Sequence, residues 1–211
     1  MTESASVPVL PDLDPELLEE AEEQAWLLIR CGFDTAEEVA EDVSDYFYDD
    51  GETPVSVEDA RLIVDRLWRE RLAEQAGWPE VTDADRVARA FAALDAAGIT
   101  ARMNFTCCGK CGFEEIGEEA AEGDRGFVFF HYQHTESAAE GRGLRLLYGV
   151  HEDVPAEEDE REATTAVGHE IVAALTGAGL GVAWDGDPDR AIHITPLDWR
   201  MRLPEAVPAG Q

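Results

Sequence analysis

The apolar residues change their spacing at Gly98, and that change decides what the chain can build. Up to Gly98 they recur every three or four positions, the period of a buried helix face. Beyond it they alternate or run together, as strands do. Pro15, a favoured first helical residue, opens a stripe of Leu17, Leu18, Ala21, Ala25, Leu28 and Ile29 that Gly32 stops. Asp34 is placed to cap a second helix, with Ala36, Val39, Ala40, Val43, Tyr46 and Phe47 on its apolar face and the Asp49-Asp50-Gly51 turn at its end. Ser56 and Asp59 form a loose capping box for a third, which carries Val57, Ala60, Val64, Leu67 and Trp68 and ends at Gly77. Thr82 and Asp83 start a fourth, with Val87, Phe91 and Leu94 inward.

After Gly98, residues Ile99, Ala101, Met103 and Phe105 alternate with polar ones and predict a half-buried strand. A cysteine-rich turn and a short helix over 112–121 follow. Phe127-Val128-Phe129-Phe130 is a continuous apolar run, expected of a strand covered on both faces. Leu144, Leu146, Tyr148 and Val150 alternate again, and after the acidic run 152–162 a helix presents Val167, Ile171, Val172 and Leu175. Two last strands, 180–184 and 191–195, are joined by the turn residues Asp185-Gly186-Asp187-Pro188. The expectation is an α+β protein, with a helical region over 15–98 packed on a mixed sheet over 99–203. The element order resembles the split β-α-β of ferredoxin-like folds. Residues 1–14 and 204–211 read as a disordered arm and tail.

Charge narrows the partners. Forty-seven acidic residues face sixteen basic ones, for a formal net charge of −31. Such a surface repels phosphate backbones and anionic lipid heads, which argues against nucleic acid and membrane and leaves a protein partner open. The chain shows no signal peptide and no apolar stretch near the roughly 20 residues that span a bilayer. Four cysteines clustered three to one are not a secreted disulfide framework, so a cytoplasmic protein with reduced thiols is expected.

Chemistry concentrates in Asn104-Phe-Thr-Cys107-Cys108-Gly-Lys110-Cys111-Gly112, which holds three of the four cysteines and the sole lysine. Cys108-Gly-Lys-Cys111 is a C-x-x-C between a strand and a helix. Thioredoxin-like oxidoreductases use that setting, although four preceding helices do not match their fold. In a redox reading Cys108 attacks, Cys111 resolves, and Lys110 supplies positive charge that lowers the thiol pKa. In a metal reading zinc takes Cys107, Cys108 and Cys111 at most, so His131 or His134 supplies what is missing. Both histidines are expected at the end of the 127–130 strand, where residues three apart point to opposite faces, so only one would join. A third reading keeps the cysteines inert in an acidic scaffold. Asp185, Asp187 and Asp189 imitate a calcium loop, but Arg190 stands where its glycine belongs. No P-loop, G-x-S-x-G or H-E-x-x-H is present.

The cysteine block, together with Gly126-Phe-Val-Phe-Phe-His-Tyr-Gln-His-Thr-Glu136 and Thr195-Pro-Leu-Asp-Trp-Arg200, resembles a bacterial family, domain of unknown function 6891, from the first helix to Arg202. The resemblance implies a soluble bacterial protein and carries over no catalytic residue. A binding or regulatory module with a cysteine-centred site is therefore the leading expectation.

Overall fold

The computed structural model describes residues 11–151 and 160–204. Most of the expected arm, most of the tail and much of the acidic run lie outside them. The chain divides into two units, one formed by described residues 11–78 and 201–204 and the other by residues 79–200.

The first unit holds three helices: α1 (Pro15–Cys31), α2 (Ala36–Tyr46) and α3 (Val57–Gln75). Asp14 caps α1 by accepting the Glu16 amide, and Leu13 packs on the core, so the end of the expected arm is tied down. Gly32 closes α1 at φ 79, where a Cβ would lie 2.7 Å from Met201 Cγ of the returning chain. The cap of α2 is Thr35, one residue later than expected. Thr35 Oγ1 accepts the Glu38 amide, and Glu38 Oε2 accepts the Thr35 amide at 2.8 Å. Ala21, Ala25, Ile29, Val39, Ala40, Val43, Ile63 and Val64 make the core. Small residues on α1 let α3 approach closely. Tyr46, expected inside, is 58% exposed.

The second unit contains α4 (Asp83–Ala96), β1 (Ile99–Arg102), α5 (Gly109–Glu115) with a 3-10 turn at Ile116–Glu119, and β2 (Gly126–Phe129). It continues with α6 (Tyr132–Ala139), β3 (Leu144–Val150), α7 (Glu160–Gly177), β4 (Val182–Ala183) and β5 (Ile192–Ile194). The fold is α+β, with helices first and a mixed sheet in the C-terminal part. The strand order is β1-β2-β3-β5-β4, with β1 parallel to β2 and the other pairs antiparallel. Because β1 and β2 are direct neighbours, the β-α-β unit is not split, and the ferredoxin-like order gives way to this one. The fourth helix belongs with the sheet: α4 packs on β1 and on α7.

Register assigns the faces. Val128, Leu144, Leu146, Tyr148, Ile192 and Ile194 share one, which α7 covers. Gly126 and Gly168 admit that helix, since a Cβ on either would press into Val167 or Trp184. On the opposite face Phe127 and Phe129 pack with Ile116, Phe105 and Leu147 under α5. β1 is covered on both faces rather than half-buried, with Thr100 inaccessible to solvent. Among the described residues no helix is long and apolar enough to cross a membrane.

The α4–β1 junction has a measurable tie. Asp95 Oδ1 accepts the Ala101 amide at 3.1 Å and Arg102 Nη1 at 2.7 Å. The Ala101 amide first, and the Arg102 side chain second, hold its carboxyl below the usual range. A depressed folded-state pKa contributes stability above the unfolded value and loses it as pH falls through the folded one. Asp95→Asn is expected to cost about 0.5–1 kcal/mol at neutral pH, screened by solvent. In urea titrations the difference from wild type should close below about pH 4. A difference independent of pH would contradict this.

Candidate metal centre

The cysteine turn is built by the residues on either side of it. Past Arg102 the chain leaves regular strand geometry, yet its hydrogen bonds with the segment after β2 continue. Phe130 N–H donates to Arg102 O, Phe105 N–H to Phe130 O at 2.8 Å, and Tyr132 N–H to Thr106 O. Asn104 and Thr106 adopt φ of 51° and 58°, the left-handed region. Asparagine tolerates that conformation, and Asn104 Oδ1 accepts from Thr135 Oγ1 at 2.7 Å. A β-branched threonine does so at a cost of order 1–3 kcal/mol, and strain of this kind concentrates at functional sites.

Thr106 turns Cys107 back over the start of α5, and Cys108 occupies the N-cap position. Cys111 is the third residue of the helix, so it sits beneath Cys108, the same spacing that brings capping-box partners together. Gly109 and Gly112 form the adjacent stripe and face the sheet. A Cβ on Gly109 would lie 3.1 Å from Leu147 Cδ1, and one on Gly112 would lie 2.6 Å from Phe129 Cζ. The two glycines of C-C-G-K-C-G thus allow α5 to lie flat on the sheet, and the cysteines converge at its rim.

The sulfurs of Cys107, Cys108 and Cys111 all lie within 4.8 Å of one another, and those of Cys107 and Cys111 are 3.6 Å apart. All three cysteines are free. Such a group could hold a metal ion. The backbone amide of Cys111 first, and the Cys111 thiol next, hold Cys108 below the usual thiol range. Hydrogen bonds that the Cys111 thiol donates to the sulfurs of Cys107 and Cys108, and then the charge on those sulfurs, push Cys111 up to about 12. One sulfur ionises readily and its neighbour resists. The Lys110 ammonium does not relieve that repulsion: its side chain is 82% exposed and turned to Glu114 at 3.8 Å. Its contribution to Cys108 is through the backbone amide, so the expected charge effect of its ammonium is absent.

The histidines are not on a strand. His131 is the N-cap of α6 and His134 lies in its first turn, so the rings come to one side and stack at 3.7 Å. The opposite-face expectation fails because a helix starts at Tyr132. His131 is buried, and a Cβ on Gly109 would lie 3.7 Å from its Nε2. The Nδ1 atoms of both rings are buried without a hydrogen-bond partner. Burial holds His131 below its usual range. Burial first, then the fields of His131, Arg145 and His193, lower His134 to about 4. Both are neutral near pH 7, the state a metal ligand needs. Neither ring has a nitrogen within 4.8 Å of all three sulfurs. Cys31, the fourth cysteine, is buried in α1 of the first unit. His151 sits at the other end of the sheet, 3.1 Å from Thr100 Oγ1, and His169 packs edge-on against Trp184.

No curated protein and no solved structure matches the chain. A family model described as domain of unknown function (DUF6891) does match, over residues 14–203, and the chain belongs to that family.

Proposed function

We propose that the protein is a metal-binding module in which Cys107, Cys108 and Cys111 hold one zinc ion. The observation that carries this reading is the close group of three sulfurs, with the ammonium of Lys110 turned away to Glu114. A divalent ion supplies the missing positive charge and lets all three ionise together. Three thiolates suit zinc's borderline-soft character and leave one position of its tetrahedron. His131, neutral and lodged against the residue after Cys108, is the candidate for that position, with His134 stacked behind it. An ion so held fastens the end of β1 to the start of α5, which suits a binding or regulatory role in a reducing cytoplasm.

A second reading rests on the opposed shifts of Cys108 and Cys111. The Cys108 thiolate attacks a substrate disulfide, forming a mixed disulfide and releasing one substrate thiolate. Cys111 then loses its proton and attacks Cys108 Sγ, releasing the other. The substrate gains the two electrons that the cysteine pair gives up.

Elemental analysis of protein purified without added metal, paired with a free-thiol count, separates the two. About one zinc per chain, lost in Cys108→Ser, is expected. A metal-free protein with a reversible Cys108–Cys111 disulfide supports the second reading, and metal-free, inert thiols overturn both.

A further inference from the structure

Over the strands β3, β5 and β4 lies an open cleft of about 650 Å³, within the size range of small-molecule sites. Arg145 and His193 stand in it side by side, opposite each other in the β3–β5 register and both exposed. The acidic residues lining the cleft are already engaged. Asp185 lies 3.5 Å from Arg190, and Asp189 pairs with Arg161. Arg145 has no carboxylate within ion-pair distance among the described residues.

A guanidinium and an imidazole directly opposite on one sheet face can both donate to a single anion lying between them. The guanidinium offers a planar fork that fits a carboxylate or a phosphate with two parallel hydrogen bonds. We propose that this cleft binds a small molecule through its carboxylate or phosphate, held by Arg145 with His193 donating beside it. The lining of the cleft contains no cysteine, although the charges of Arg145 and His193 reach His134. The acidic surface around it repels polyanions and admits a small ligand bearing little charge. The position of His193 agrees: burial first, and Arg145 second, hold its imidazole below the usual range, so it meets the ligand as a neutral N–H donor.

The test follows the His193 imidazole resonances by NMR at neutral pH and fixed ionic strength. Inorganic phosphate, succinate and sodium chloride are titrated separately, with His151 as the internal reference. A saturable shift of His193 with phosphate or with succinate is expected, and which anion produces it names the ligand group. Arg145→Gln should weaken that response about 10-fold or more, as loss of a charge-assisted pair requires. Arg145 is exposed, so an unchanged His151 signal will show that the variant keeps its fold. No saturable response to either anion overturns the proposal. So does equal affinity in Arg145→Gln, or a shift that chloride reproduces.

Discussion

Gly112→Ala is expected to destabilise the protein by about 1–3 kcal/mol, although alanine is the better helix former by about 1 kcal/mol. The added methyl would lie 2.6 Å from Phe129 Cζ. That ring cannot retreat. It is fully buried, boxed by Phe113 at 5.3 Å and Phe105 at 5.9 Å, on a strand paired along both edges. The helix must lift instead, and Cys111 moves with it. Urea titration gives the cost. Gly117→Ala is the control, because nothing lies within 4 Å of that position, and it should change stability little. Trimming the obstacle should also help. Gly112→Ala combined with Phe129→Leu is expected to cost less than the two changes summed, with a coupling of about 0.5–3 kcal/mol. Additive costs would show that the ring and the glycine do not meet.

The second large effect is on metal. Serine in place of Cys107, Cys108 or Cys111 removes one of the three thiolates proposed to hold the ion. Each variant is expected to lose zinc under purification conditions where wild type retains it. His131→Ala is expected to keep zinc with affinity lowered about 10–100-fold, as loss of a supporting ligand does elsewhere. Cys31→Ser should retain zinc fully, because that residue is buried in α1. Competition against a chromophoric chelator reads all five variants on one scale. Equal affinities for Cys31→Ser and Cys108→Ser would remove the cluster from the account.

The sequence made the helices legible because their ends carry specific chemistry. Ser56 and Thr82 cap where oxygens were expected to cap, while Asp14, placed in the arm by the sequence, caps α1. Gly32 and Gly98 turn the chain at positive φ. The displacement from Asp34 to Thr35 is a one-residue choice between two good caps, and the reciprocal bond with Glu38 decides it. The helix α6 was not legible. Tyr132–Ala139 shows no apolar stripe, since only Thr135, Ala138 and Ala139 are buried. That omission put both histidines on a strand and hid their stacking. The grouping of the three cysteines was readable from their closeness in sequence, but the helix begins at Gly109 rather than at 112, which puts Cys111 inside its first turn. The role of Lys110 was not, since its side chain could turn toward the thiols or toward Glu114. Neither was the Arg145–His193 pairing, which depends on the register between β3 and β5.

The ligands around a bound zinc ion decide between these readings most directly. X-ray absorption at the zinc edge of the zinc-loaded protein measures that shell directly. The prediction is three sulfurs at about 2.3 Å and one nitrogen or oxygen at about 2.0–2.1 Å. In His131→Ala the imidazole signature should disappear while the three sulfurs remain. A shell of nitrogen and oxygen alone, or one with a single sulfur, would contradict it.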